Sequence, residues 1–189
     1  MLGESDVEDQ LLGLMNHERA AHGLPPYVRD GALDAGARAH TELLMSKAVV
    51  AADPNDPVCP AQTDVPVETW TETWQEDHWC PGEEPSPIQR IQPDWQTRSD
   101  IAPMENVGRG WAFRQPPDPG WEPYDGIVSD IHHLFMAEVP PDDGHRRAIL
   151  SPDHDSVGVG VRIVTRTQDV GGDQQQQAYV RFTVDFAKA

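Results

Sequence analysis

The last part of the chain carries the feature that most limits its fold. In SVGVGVRIVTR the odd positions Val157, Val159, Val161 and Ile163 are apolar, with Gly158, Gly160 and Arg162 between them. In AYVRFTVDFA the apolar set falls on the even positions Val180, Phe182, Val184 and Phe186. A period of two puts each set on one face of a strand. DVGGD between the runs supplies turn chemistry. The pattern predicts an antiparallel hairpin with one face on a core. The QQQQ run at Gln174–Gln177 is expected in its exposed loop.

Upstream the period is helical. Leu11, Leu12 and Met15 mark the buried stripe of a first helix, about Val7 to Ala21, stopped by Gly23 and Pro25-Pro26. In a second helix, about Asp30 to Ala48, Leu33, Ala37, His40 and Leu44 share one face, so His40 reads as a hydrogen-bonded core histidine. MENVGRGWAF reads as a short strand. A third helix, about Asp125 to Val139, carries Ile127, Ile131, Leu134 and Glu138. From about 51 to 98 the pattern dissolves into a Pro- and Trp-rich insertion. Its Trp70, Trp74, Trp79 and Trp95 favour burial, as plugs over the core or as the lining of a pocket. Helices first, strands interleaved and an antiparallel terminal pair predict one α+β domain spanning 1–189.

Charge narrows the partners. The formal charge of −18 repels phosphate backbones, which makes nucleic acid and anionic membranes poor partners and suits cations or a solvated acidic surface. No apolar run approaches the roughly 20 residues of a membrane helix, so no membrane span is expected. After Met1 the chain goes directly to acidic Glu4–Asp9. Two readings stand: a secreted protein whose signal segment has been removed, or a cytoplasmic one. Cys59 and Cys80 permit a disulfide worth about 3 kcal/mol without requiring one. Lacking a second pair, they do not form a zinc-ribbon site.

HERAAH, His17 to His22, raises the question of a zinc-protease helix. That motif needs histidines four residues apart on one helix face. Here the separation is five, a rotation of about 500°, so His22 points away from anything His17 could hold. His132-His133 and Asp153-His154-Asp155 read as surface clusters, Asp142 and Asp143 as a solvated loop, and Ser86 and Ser151 as turn residues rather than nucleophiles.

Taken in order, the motifs resemble the CAP superfamily of cysteine-rich secretory, antigen 5 and pathogenesis-related group-one proteins, its bacterial SCP-like branch above all. Asn16, Arg19, Gly23 and Leu24 fit its first-helix pattern N-x-x-R-x-x-x-G-L, which makes HERAAH the tail of a structural helix. SPIQRI, MENVGRG, GHRRAILSP, VGVGV and VDFA match later segments in the family's order. The resemblance implies an α-β-α sandwich, helices on both faces of a central antiparallel sheet.

It also implies a cleft in which two histidines and two glutamates bind a divalent cation, zinc or calcium/magnesium. Carried over residue by residue these are Glu105 of MENV, His145 of GHRR, Glu138 of LFMAE and His78 before SPIQR. Without a metal, the same residues form two His–Glu hydrogen-bonded pairs. The sequence departs from the family in its longer insertion, in Phe135 where the third helix carries a tryptophan, and in PPDDG before His145. The expected function is binding of a cation, a small lipid-like, hydrophobic or glycan-like ligand, or both, by a monomer. The alternative is an enzyme using the His/Glu cluster for metal-assisted hydrolysis or general acid–base catalysis, a specialised biosynthetic step among them.

Overall fold

The computed structural model describes residues 3–50, 87–91, 101–114 and 123–189. Helix α1 runs Glu4–Ala21, strand β1 Val28–Arg29, helix α2 Gly31–Val50 and helix α3 Pro87–Ile91. Strand β2 follows at Met104–Arg114, then helix α4 at Pro123–Ala137, helix α5 at Gly144–Ile149, and strands β3, Ser156–Val170, and β4, Asp173–Ala187.

The helix ends follow from local chemistry. At the start of α1 the Asp6 carboxylate accepts the Gly3 N–H at 2.7 Å. At its end Gly23 takes φ +72° and the Leu24 N–H returns to the Arg19 carbonyl at 2.9 Å. Asp30 caps α2, its Oδ1 accepting from the N–H groups of Ala32 and Leu33. Between them Asn16 clamps Tyr27, accepting its N–H at 2.8 Å and donating to its carbonyl at 3.3 Å.

The sheet has the order β1-β3-β4-β2. The expected hairpin is present as β3 and β4, paired from Ser156↔Ala187 to Val170↔Asp173. Gly171 and Gly172 turn it, both at positive φ, the two-residue loop that suits strand twist. Two expectations are corrected. The glutamines 174–177 belong to β4, because the ladder runs to the turn, pairing Gln175 with Gln168 and Gln176 with Thr167. The sheet is mixed rather than purely antiparallel, because the short β1 adds parallel to β3.

Two unequal layers cover the sheet. On one face α1, α4 and α5 enclose the main core, where Val7, Leu11 and Met15 meet Ile131, Phe135 and the expected alternating valines and phenylalanines of β3 and β4. On the other face α2 lies directly on Gly158 and Gly160, so close that a Cβ on either would overlap the backbone of residues 33–34 or 37–38. Leu33, Ala37, His40 and Leu44 are buried there as predicted. The opposing residues of β4 are Arg181, Thr183 and Asp185, each at most 1% exposed. β4 is therefore covered on both faces, where the alternation predicted one.

Beyond β1 the outer edge of β3 would leave N–H groups unanswered. Carboxylates from the helices take them. Asp34 accepts from Val159 at 2.9 Å, Glu8 from Val161 at 3.4 Å and Glu4 from Ile163 at 3.0 Å. Arg29, Arg38 and Arg162 neutralise these carboxylates. Burial opposes the charge on Glu8, but hydrogen bonds from Arg38 and Arg29 outweigh it and hold its carboxyl below the usual range. Part of the acidic excess thus caps a sheet edge.

Candidate functional site

The site forms where α4 ends. Glu138 sits one residue beyond that helix, and the chain returns over seven residues to place His145 near the start of α5. Glu138 Oε2 accepts the backbone N–H groups of His145, at 3.0 Å, and Arg146, at 3.3 Å. Its Oε1 lies 2.5 Å from His145 Nδ1. A carboxylate can only accept here, so Nδ1 carries a ring proton, and Nε2 is the accepting nitrogen whenever the ring is neutral.

Packing fixes the ring as well. Phe135 stacks on His145 with centroids 4.0 Å apart and planes 3° from parallel, and meets Phe182 edge-on at 6.0 Å. The imidazole is thereby locked to the core of the sheet. Asn106 ties the same turn to β2, donating to the His145 carbonyl at 3.0 Å.

Glu105 takes the other side of β2. In the β2–β4 register Asn106 opposes Val184, which lies in the main core, whereas Glu105 opposes Asp185 on the α2 face. Successive strand residues point to opposite faces. Glu105 is ion-paired with Arg90 of α3, both side chains buried, at 3% and 8% exposure. The structure thus brings together His145 and Glu138 of the four expected residues, and gives Glu105 to Arg90. His78 lies outside the described residues, as do Cys59, Cys80, Trp70, Trp74, Trp79 and Trp95.

A divalent cation asks for more donors than this. Glu138 is engaged by three N–H groups and Glu105 by a guanidinium. Among the described residues no three His, Cys, Asp or Glu side chains group closely enough to hold a metal. The described donor set does not by itself fit a resident ion.

Sequence reasoning misplaced two histidines. His132 and His154 were expected at the surface and are 5% and 4% exposed. His132 lies on the buried face of α4. His154 Nε2 donates to the Ala102 carbonyl at 2.9 Å, and its Nδ1 therefore accepts from the Ser151 hydroxyl at 2.7 Å. The only advance signal was the S-x-x-H spacing of Ser151 and His154. Alongside lies a hollow of about 450 Å³ with Arg146 and Arg147 in its wall. Among the described residues no helix is long and apolar enough to cross a membrane.

A sheet with helices on both faces and a carboxylate-oriented histidine at one edge strand define a CAP-type domain. The chain belongs to the CAP family, the cysteine-rich secretory protein family, whose model matches residues 12–184. No curated protein matches it. Among solved structures, MpPR-1i is 14% identical with a TM-score of 0.47, the match covering 98% of this chain and 90% of that one. An outer surface protein from Borrelia burgdorferi is also 14% identical, TM-score 0.49, with 99% and 96% covered. An extracellular SCP-domain protein from Bacillus anthracis is 16% identical, TM-score 0.48, with 98% of this chain and 41% of that one covered.

Proposed function

We propose that this is a CAP domain of the bacterial type that acts by binding, with the His145 imidazole as the polar anchor for a small hydroxylated, glycan-like ligand. The observation that carries the reading is the grip of Glu138 on His145. One carboxylate takes the Nδ1 proton and two backbone N–H groups. It thereby presets which ring nitrogen donates and which accepts. A preset acceptor costs a ligand less to engage than a mobile one. Asn106, which holds the His145 carbonyl from β2, adds a second polar side chain at this turn and favours hydroxyl groups over a purely apolar ligand.

The test is a titration of protein labelled at its histidine ring nitrogens with cello- and chito-oligosaccharides. A shift at His145 Nε2 that is absent in His145→Ala supports the reading, and no shift across the panel refutes it. Zinc in the same spectra tests the cation reading, which requires a saturable shift at His145 that Glu105→Gln weakens.

A second reading, general acid–base catalysis, draws on the same fixed tautomer, since a carboxylate behind an imidazole holds the ring in the orientation proton transfer needs. It requires turnover whose rate falls at least about 100-fold in His145→Gln.

A further inference from the structure

We propose a second binding site, distinct from His145, in the hollow of about 450 Å³ beside α5, and that it takes a small zwitterion bearing an ammonium and an oxyanion. The volume lies within the range of small-molecule pockets. Four charged side chains line it, Arg146 and Arg147 against Asp143 and Asp153. Among the described residues none of the four side chains makes an ion pair or hydrogen bond, although both signs share one small space. Elsewhere in the molecule guanidinium and carboxylate groups do close on each other, as Arg29 does on Glu8 and Asp34. Here the charges stand apart, which leaves each available to a ligand of opposite sign.

The lining holds groups for both charges of such a ligand. Arg146 Nε is buried and has no acceptor. A donor in that state is costly, and an oxyanion reached by a turn of the long side chain satisfies it in the forked geometry guanidinium favours. In the same lining the hydroxyl proton of Ser151 is given to His154 Nδ1, whose ring is fixed by the Ala102 carbonyl. The Ser151 oxygen accepts the Asp153 N–H at 3.3 Å, so the acceptors left for a ligand's ammonium are the carboxylates of Asp143 and Asp153. Met104 and Leu150 add apolar surface to the lining.

The charge of the whole chain selects between ligand types. At −18 it repels a simple anion at long range, whereas a zwitterion, whose ammonium offsets part or all of its oxyanion's charge, meets a lower barrier.

The experiment is calorimetry and amide-shift NMR on the full chain with O-phosphoethanolamine, inorganic phosphate and ethanolamine as probes. The expected result is that O-phosphoethanolamine binds at least 10-fold more tightly than either half. Arg146→Gln should weaken it at least 10-fold, and the exposed Arg147→Gln, which carries no folding risk, should weaken it measurably. His145→Ala should leave it unchanged, which separates this site from the one proposed above. Absence of binding, binding indifferent to both arginine variants, or phosphate binding as tightly as O-phosphoethanolamine overturns the proposal. Sedimentation with phosphatidylethanolamine vesicles distinguishes sources. Arg146-dependent capture places the zwitterion on a lipid headgroup, and binding of the soluble probe alone makes it a free molecule.

Discussion

The guanidinium of Arg19 lies 3.7 Å over the ring of Tyr27, fully buried. It donates to the carbonyls of Pro25, Ile149 and Ser151 at 2.7, 3.0 and 2.8 Å, so one side chain joins α1, the β1 approach and the end of α5. Burial pushes the Tyr27 phenol up to about 12, and it stays a neutral donor to the Ala148 carbonyl at 2.7 Å. Lysine keeps the charge, but its single nitrogen cannot reach carbonyls that Arg19 serves from separate nitrogens, nor stack as a plane. Arg19→Lys is expected to cost about 3 kcal/mol in urea unfolding, and a loss below about 0.5 kcal/mol would contradict this role.

Gly158 and Gly160 set the distance between α2 and the sheet. Alanine at either drives a methyl into helix backbone, which cannot turn aside as a side chain can. Each substitution should cost about 3 kcal/mol or more. Gly13, in the interior of α1 with nothing within 4 Å of an added Cβ, should respond oppositely, gaining about 1 kcal/mol in Gly13→Ala. Thermal melts of the three variants check both signs.

Removing the Glu138 carboxylate strands three donors. Glu138→Ala should lower stability by about 2 kcal/mol and release the His145 ring into a mixture of tautomers, seen in its nitrogen shifts. A ring that keeps its Nδ1 proton in the variant would show that something other than Glu138 sets the tautomer.

Stability should fall in acid through two separate windows. Burial chiefly depresses the His132 pKa, with Glu18 opposing and His133 reinforcing the shift. The unfolded chain therefore takes up that proton first, and stability declines as pH drops below about 6.5. Glu8, held below its usual 4.5, contributes stability above that value, and the contribution is lost as pH falls further. In urea titrations against pH, His132→Phe should flatten the upper window and Glu8→Gln the lower. An unchanged upper slope in His132→Phe would remove His132 from the account.

What was legible in advance rested on period and on residues with local chemistry. The alternation at 157–163 and 180–186 gave the hairpin, and the spacing of Leu33, Ala37, His40 and Leu44 gave the buried face of α2. Gly171-Gly172, Gly23 and Asp30 placed a turn and two helix ends, because each acts on atoms within a few residues of itself. Motif order gave the family, confirmed over residues 12–184.

The tertiary structure alone decided what those elements bring together. Asn106 and Glu105 are adjacent in sequence, yet one reaches the His145 turn and the other Arg90, because a pleated strand sends neighbours to opposite faces and only packing says what waits there. His132 and His154 looked like surface residues for the same reason, since a polar residue's burial depends on which element covers it rather than on its own type. The carboxylates along the β3 edge and the unpaired charges beside α5 likewise arise from meetings between distant segments. Local sequence fixes where a side chain sits on its own helix or strand, and the chain's path through space fixes what it faces.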